Sequence, residues 1–153
     1  MRIVIAGASG FIGKELINIL KDHHEVIGIS RYPRNEEAGV KWVQCDLFSL
    51  IDIENTLANS DVAVYLVHSM LPSARLTQGS FRDFDMILAD NFSRAAKKAN
   101  IKKIVYLSGI IPPDAILSEH LQSRLEVENI LKSSGIPTSS LRAGLIIGPG
   151  GSS

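Results

Sequence analysis

The chain has 153 residues, of which 45% are apolar and 21% charged, and its sixteen basic side chains balance sixteen acidic ones. This length suits one globular domain whose core needs no disulfide or metal to stabilise it. Zero net charge argues against a nucleic-acid binder with an overall basic field, and no apolar run approaches the ~18–20 residues of a membrane span. With one cysteine, Cys45, and no leader-like opening, the sequence indicates a cytoplasmic protein without a disulfide framework or a thiolate zinc site.

Short β-branched runs alternate with helical patterns along the whole chain. The clearest helix is residues 81–99, where Phe84, Leu88 and Phe92 recur at spacings of four. In chain order the pattern predicts strand 2–6, a turn at 7–10, helix 11–22, strands 25–29 and 41–45, helix 50–57, strand 62–67, a loop at 69–79, helix 81–99, strand 103–108, a proline-rich loop at 111–114, helix 117–134 and strand 139–147.

This alternation predicts the fold class. Helices between buried strands imply βαβ units, in which the strands are parallel and both faces of the sheet are covered. Right-handed crossovers then favour an α/β fold with a doubly wound parallel sheet, the three-layer Rossmann fold, with strand order 3-2-1-4-5-6. On the first helix we expect Ile12, Leu16, Ile19 and Leu20 to face the core.

A glycine-rich turn joins the first predicted strand to the first predicted helix. Its residues are Gly7, Ala8, Ser9, Gly10, Phe11, Ile12 and Gly13. In such a turn the first glycine permits the tight bend, the second lets the backbone approach a pyrophosphate, and the third lets the helix pack closely on the strand. N–H groups at the helix start then face the anion. At the first βα junction this GxxGxxG spacing predicts that residues 1–153 form a dinucleotide-binding domain; the alternative is a turn without a ligand.

The residues after the second predicted strand bear on the choice of cofactor. An acidic residue there accepts hydrogen bonds from the ribose hydroxyls of NAD, whereas an arginine receives the 2′-phosphate of NADP. This strand is followed by Ser30 and Arg31, with Arg34 nearby, and no acidic residue occurs before Glu36. We therefore expect the cofactor to be NADP, with NAD less favoured. We expect Arg31 to be the main partner of the 2′-phosphate and Arg34 to contribute to its binding. The alternative is that both arginines are solvated loop cations.

These motifs resemble the short-chain dehydrogenase/reductase superfamily, in its extended and atypical branches. The resemblance is to nucleoside-diphosphate-sugar epimerase-like proteins and to NmrA-like NAD(P)-binding proteins, and it covers essentially the whole chain. It rests on residues 7–13, 29–31, 45–47, 106–109, 118–127, 141–142 and 148–149. The glycine motif and the pair Asp46 and Leu47 are its more specific parts.

The resemblance implies roles for individual residues around the cofactor. It implies that Asp46 accepts from the adenine amino group, that Leu47 packs on the adenine ring, and that Val67 and His68 border the ribose on the nicotinamide side. Asn91 matches an asparagine that helps to organise the site. For Asp46 the alternative is an ordinary helix-entry aspartate. Together the expected cofactor-binding residues are Gly7, Ser9, Gly10, Phe11, Ile12, Gly13, Ser30, Arg31, Arg34, Asp46, Leu47, Val67 and His68.

The catalytic residues depart from the superfamily pattern. Active members pair a tyrosine acid/base with a lysine four residues later, on the helix after the fifth strand, and use a nearby serine. Here the corresponding positions hold His120 and Arg124, and Ser108 ends the fifth predicted strand, although a register shifted by one would put Gly109 there. The resemblance thus implies Ser108, His120 and Arg124 as catalytic residues. The competing interpretation is that His120, Arg124 and Glu128 form an i, i+4 ladder on a solvated helix face.

Two functions remain open from the sequence. One is an NAD(P)-dependent oxidoreductase or epimerase-like enzyme, in which the cofactor carries the hydride. The other is a non-catalytic NADP-binding sensor or regulatory module, which the missing tyrosine and lysine favour. Extended and atypical relatives continue into a C-terminal substrate-binding segment that we expect to be absent here, so the small-molecule substrate is not identified. We expect no metal, nucleic-acid or membrane partner, and a homo-oligomer is compatible with the sequence.

Overall fold

Six strands and four helices alternate in the part of the chain that the structure describes. The computed structural model describes residues 1–35, 37, 39–68, 81–113 and 116–148, so the predicted loop at 69–79 and the end of the loop predicted at 111–114 lie outside it. The elements are β1 (Arg2–Ala6), α1 (Phe11–Leu20), β2 (Glu25–Ser30), β3 (Val40–Gln44), α2 (Leu50–Leu57), β4 (Val62–Tyr65), α3 (Phe81–Lys98), β5 (Lys103–Gly109), α4 (Glu119–Ser133) and β6 (Thr138–Ala143).

The strands form one parallel sheet in the order β3-β2-β1-β4-β5-β6, which confirms the predicted doubly wound topology. Ile5 of β1 pairs with Gly28 of β2 on one side and with Val64 of β4 on the other. After β1 the chain therefore forms one half of the sheet with β2 and β3. It then crosses to the other side of β1, where β4, β5 and β6 form the second half. In a sheet of this kind the ligand site lies outside the carboxyl ends of the strands, where the strand order reverses.

The helices divide the core into two layers. Helices α2, α3 and α4 cover one face of the sheet, where Phe92 of α3 packs edge-on against Tyr65 with 5.0 Å between ring centroids. Helix α1 covers the other face, where Ile17 packs with Ile3, Ile5 and Val64. The side chains of residues 3–6 of β1 alternate between these layers and are all but excluded from solvent, as expected for a central parallel strand.

Several predicted boundaries and one residue of a predicted helix face were wrong. Helix α1 ends at Leu20 rather than at residue 22, and β6 ends at Ala143 rather than at 147. On α1, Leu16 and Leu20 pack against the core as predicted, but the fully buried residues are Gly13 and Ile17, and Ile19 is 69% exposed. The reason is that Gly13, which has no side chain, packs against Gly7 and Ala8 of the turn after β1, and this contact turns the helix so that Ile17, one turn later, faces the sheet.

Glu128 ties α4 to β6 from a buried position. Its side chain is 2% exposed and accepts hydrogen bonds from Lys132 Nζ at 2.6 Å and Arg142 Nη2 at 3.0 Å. Burial alone would raise the pKa of Glu128, but the bonds from Arg142 and Lys132 outweigh it and hold the pKa below its usual 4.5. Removing the charge therefore leaves two cations without their common partner.

We expect Glu128→Gln to lower the free energy of unfolding at pH 7 by about 1.5–3 kcal/mol, the scale of one hydrogen bond to a charged group. Since the folded-state pKa is depressed, this stabilisation is fully present above the ordinary pKa of 4.5 and is lost as pH falls through the folded-state value. Urea unfolding of wild type and variant at pH 7 and at acid pH measures the difference. A gap that stays constant on acidification would contradict this account.

Candidate cofactor and active site

The glycine turn follows β1 at the point where the strand order reverses. Gly7 has a φ of 85°, in the left-handed region that favours glycine, and the segment just after β4 runs close by, since a Cβ on Gly7 would lie 3.0 Å from the carbonyl carbon of Leu66. A Cβ on Gly13 would lie 2.4 Å from Gly7 O and 2.6 Å from Ala8 Cα. Gly10 N–H donates to Gly7 O at 3.0 Å. Gly7 and Gly13 thus hold helix and strand together, while Gly10 is exposed at the helix start.

Helix α1 starts differently from α2 and α4. Ser49 and Ser118 cap α2 and α4, and each hydroxyl accepts a backbone N–H three residues further on. Helix α1 starts after Gly10, with no side-chain cap among the described residues and no acidic residue in its first turn. The N–H groups of residues 11–13 have no partner within the helix. Together with the positive end of the helix dipole, these donors suit a diphosphate.

The other expected residues of this turn surround the helix start. Ser9, Phe11 and Ile12 are half-buried. The ring of Phe11 lies against Gly148, where a Cβ would come within 2.7 Å of Phe11 Cζ. The segment after β6 therefore reaches the start of α1.

The end of β2 brings a serine and one of the two arginines together. Ser30 is 7% exposed, and its Oγ accepts from Tyr32 N–H at 3.3 Å and from Arg34 Nε at 3.4 Å. The Arg34 guanidinium lies over the Trp42 ring, 5.1 Å from its centroid. Arg31 is exposed and lies 5.9 Å from the ring centroid of its neighbour Tyr32. Arg34 rather than Arg31 is therefore the arginine that other elements hold in place.

The turn after β3 is fixed by α3. Asp46 is exposed, and one of its carboxylate oxygens accepts Phe48 N–H at 3.0 Å, an Asx turn. Leu47 is 7% exposed and belongs to the core, so its contact with an adenine ring stays a prediction. Asn91 Nδ2 donates to the carbonyls of Leu47 at 3.2 Å and Phe48 at 3.1 Å. Asn91 thus organises this turn through its backbone.

The residues after β4 run beside the glycine turn. Leu66 N–H donates to Ala6 O at 2.9 Å, which extends the pairing of β4 with β1 beyond the end of β4. Val67 is half-buried against the core. His68 is exposed, with Nδ1 3.4 Å from Leu66 O. The structure therefore brings Val67 and His68 to the same sheet edge as the glycine turn.

On α4, Arg124 reaches back to β5. Its Nη1 donates to Leu107 O at 3.0 Å, and the Tyr106 hydroxyl donates to the Arg124 carbonyl at 3.2 Å. His120 is exposed one turn before it. The solvated ladder with Glu128 is wrong, because Glu128 is buried against β6 and Arg124 is bound to β5. Arg124 is therefore a positioned cation at the sheet edge.

Ser108 lies on the α4 side of β5, 3% exposed and on the same face as Tyr106. The next residue, Gly109, ends β5, and a Cβ there would lie 2.9 Å from Leu121 Cδ2 of α4. Ser108 therefore supplies the side chain that the end of β5 contributes beneath α4. Its catalytic role stays a prediction.

Two histidines share the electrostatic field of Arg124. Desolvation of the imidazole rings by neighbouring protein atoms lowers the pKa of both His68 and His120, although both residues are exposed overall, and the Arg124 charge lowers both further. Asp85 of α3 opposes this shift. Asp85 is 6% exposed and accepts a hydrogen bond from Ser123 Oγ at 2.9 Å. The lowered pKa values favour the neutral imidazole at pH 7, the form that can accept a proton.

Arg124→Met is expected to raise the pKa values of both His68 and His120, because it removes a positive charge that disfavours the imidazolium. NMR titration of the imidazole C–H resonances, assigned with His68→Gln and His120→Gln, measures both values. If neither pKa moves, Arg124 lies too far from the histidines to act on them.

The tyrosines do not restore the superfamily pattern. Tyr65 and Tyr106 are each 1% exposed, and burial raises the pKa of both phenols. Tyr32 is 70% exposed in the loop after β2. His120 and Arg124 thus remain the polar pair on α4 that the resemblance matches to the tyrosine and lysine of active superfamily members, and their catalytic role stays a prediction.

Asp85 and Trp42 were not identified from the sequence as residues of the site. A carboxylate next to Phe84 and Leu88, on the apolar side of α3, was the available signal for Asp85. The single tryptophan in a short strand gave no signal of its own, since tryptophan is common in strands.

Within the described ranges, no three His, Cys, Asp or Glu side chains are grouped to hold a metal ion. In the same part of the chain, every helix is too short or too polar to cross a membrane.

Comparison with known proteins supports this reading of the fold. The sequence model of the NAD(P)H-binding family matches residues 7–147. The chain is 36% identical over 111 residues to the auxiliary protein GraX of Staphylococcus aureus, an alignment that covers 71% of this chain and 36% of GraX. It is 28% identical over 112 residues to short-chain dehydrogenase/reductase family 42E member 1 of Bos taurus, covering 69% of this chain and 28% of that protein.

Among solved structures, UDP-glucuronic acid 4-epimerase from Bacillus cereus in complex with NAD superposes with a TM-score of 0.73. It is 19% identical, and the match covers 93% of this chain and 56% of that one. This likeness shows the shared fold. The chain spans about a third of the length of the curated relatives it matches.

The chain therefore belongs to the NAD(P)H-binding family, with a Rossmann fold whose structural neighbours include nucleoside-diphosphate-sugar epimerases and short-chain dehydrogenase/reductase-like proteins.

Proposed function

We propose that this chain is the NADP(H)-binding part of an oxidoreductase or epimerase-like enzyme. One observation supports this above all: the uncapped first turn of α1 opens at the carboxyl edge of the sheet, between β1 and β4. Backbone donors at that place suit the diphosphate of a dinucleotide. Membership of the NAD(P)H-binding family supports the same ligand.

The residues at this edge fit the rest of the cofactor. The N–H groups of residues 11–13 would hold the diphosphate, Ser30 and Arg34 the ribose 2′-phosphate, and Asp46 the adenine amino group. His68 lies on the other side of the glycine turn, where the second ribose would bind. When bound, NADP(H) supplies the hydride, and the protein orients it.

His120 would transfer a proton in the reaction, and Arg124 would bind a reacting or neighbouring oxygen. A neutral His120 would accept the hydroxyl proton when an alcohol passes a hydride to NADP⁺, and in the reverse direction, carbonyl reduction by NADPH, it would return that proton to the substrate oxygen. Arg124 cannot be deprotonated and would hold a polar oxygen of the substrate or ribose. Ser108 would contribute a hydroxyl beneath them.

Turnover tests the enzymatic proposal. We expect the protein to oxidise NADPH in the presence of a carbonyl substrate, with quinones, aldehydes and nucleotide sugars as the panel, and loss of absorbance at the reduced nicotinamide band as the readout. His120→Asn should lower kcat without changing NADPH affinity. Turnover that is unaffected by His120→Asn would show that His120 transfers no proton.

The second candidate is a non-catalytic NADP-binding regulatory module. The absence of tyrosine and lysine at positions 120 and 124 favours it, and so does the likeness to a protein named as auxiliary. This candidate requires tight NADPH binding with no oxidation of the cofactor by any member of the panel.

A further inference from the structure

The indole ring of Trp42 in β3 packs directly over a glycine of β2, an arrangement called seated below. Gly28 of β2 is its partner in the strand register. A Cβ on Gly28 would lie 2.7 Å from Trp42 Cζ3 and 2.8 Å from Trp42 Cε3, closer than side chains pack. The absence of a side chain at Gly28 is therefore what lets the indole ring lie against β2 at this position.

The seated ring makes two polar contacts at the sheet edge. The Arg34 guanidinium lies 5.1 Å above the ring centroid, within the range of a cation–π interaction. The indole Nε1 donates to a Glu37 carboxylate oxygen at 3.4 Å. These groups line an open cavity of about 500 Å³, together with Tyr32, Pro33 and Asn35. Trp42 thus anchors Arg34 at the wall of a cavity next to the end of β2.

Ser30 complements Arg34 as a hydrogen-bond donor. A hydroxyl has two lone pairs and one proton. The Oγ of Ser30 already accepts from Tyr32 N–H and Arg34 Nε, so its own proton is left to donate. Arg34 and Ser30 therefore present donors only, which matches a phosphate, since its oxygens are acceptors.

We propose that Trp42, seated on Gly28, positions Arg34 to bind the ribose 2′-phosphate together with Ser30. Arg34 is then the residue that selects NADP over NAD, and Trp42 is a positioning residue. This inference deepens the proposed function and rests on it. It replaces Arg31 with Arg34 as the main partner of the 2′-phosphate.

Titration of NADPH and NADH into five proteins tests the proposal: wild type, Arg34→Ala, Trp42→Leu, Trp42→Tyr and the matched control Arg31→Ala. Arg34→Ala should weaken NADPH at least about tenfold, the loss of one charge-assisted bond, and Trp42→Leu about two- to fivefold. Trp42→Tyr, which keeps an aromatic face, should restore most of that loss. Arg31→Ala should cost less than Arg34→Ala, and NADH affinity should stay within about twofold throughout, because NADH lacks the 2′-phosphate.

The outcomes separate this inference from the proposed function. If wild type binds neither cofactor, or binds NADH more tightly, the NADP(H) assignment fails. If wild type prefers NADPH but Trp42→Leu leaves that preference unchanged, or Arg31→Ala costs more than Arg34→Ala, NADP binding stands and the role of Trp42 is overturned.

A double-mutant cycle tests the contact between Trp42 and Gly28 itself. Gly28→Ala should destabilise the wild type more than it destabilises Trp42→Leu, because the smaller leucine side chain at position 42 leaves room for the methyl group added at position 28. Urea unfolding of the two single variants and the double variant measures this coupling. Additive effects would mean that Gly28 does not seat the ring.

Discussion

Gly13→Ala is expected to lower the free energy of unfolding by about 3 kcal/mol or more, the upper end of the cost of inserting atoms into a packed site. The added Cβ would lie 2.4 Å from Gly7 O and within 2.7 Å of two backbone atoms of Ala8. Backbone cannot rotate away as a flexible side chain can, so either α1 must move off β1 or the turn must open. Both changes remove Ile17 from its place against the sheet.

Urea unfolding followed by circular dichroism measures this loss. Gly144→Ala is the matched control, because a Cβ there would lie 3.5 Å from Ile110 Cδ1, an ordinary contact. We expect Gly144→Ala to change stability by less than about 0.5 kcal/mol. Equal stabilities of the Gly13 and Gly144 variants would show that α1 packs less closely on the glycine turn than the distances at Gly13 indicate.

The architecture could be predicted from the sequence because it depends on local signals that agree with one another. β-branched runs such as residues 2–6 form strands, the spacing of Leu88 and Phe92 marks a helix face, and a glycine turn between strand and helix sets a parallel βαβ unit. Once all strands are parallel, the handedness of the crossovers leaves the observed strand order as the leading one.

What could not be predicted depends on contacts between distant segments. The place of Trp42 follows from its register with Gly28 on the neighbouring strand, which no local pattern encodes. The same holds for Arg124, whose bond to Leu107 O takes it from the helix face to β5. The burial of Ile17 instead of Ile19 likewise reflects how α1 docks, since both residues fit a helical apolar pattern.

Gly10→Val is expected to fold and to lose cofactor binding. Gly10 has φ −74° and ψ 173°, an extended conformation that any residue adopts. A Cβ there would meet only Gly7 O, at 3.2 Å, so the stability change should stay within about 1 kcal/mol. The branched side chain would nevertheless stand at the start of α1, where a diphosphate must come close to the N–H groups of residues 11–13.

Fluorescence titration of NADPH into wild type, Gly10→Ala and Gly10→Val measures the effect. We expect the affinity to fall in that order, with no detectable binding by the valine variant, because each added methyl group takes more of the space that the diphosphate needs. Unfolding curves of the same three proteins provide the control. If folded Gly10→Val binds NADPH as well as the wild type does, the glycine turn only joins strand to helix, and the cofactor does not bind at the start of α1.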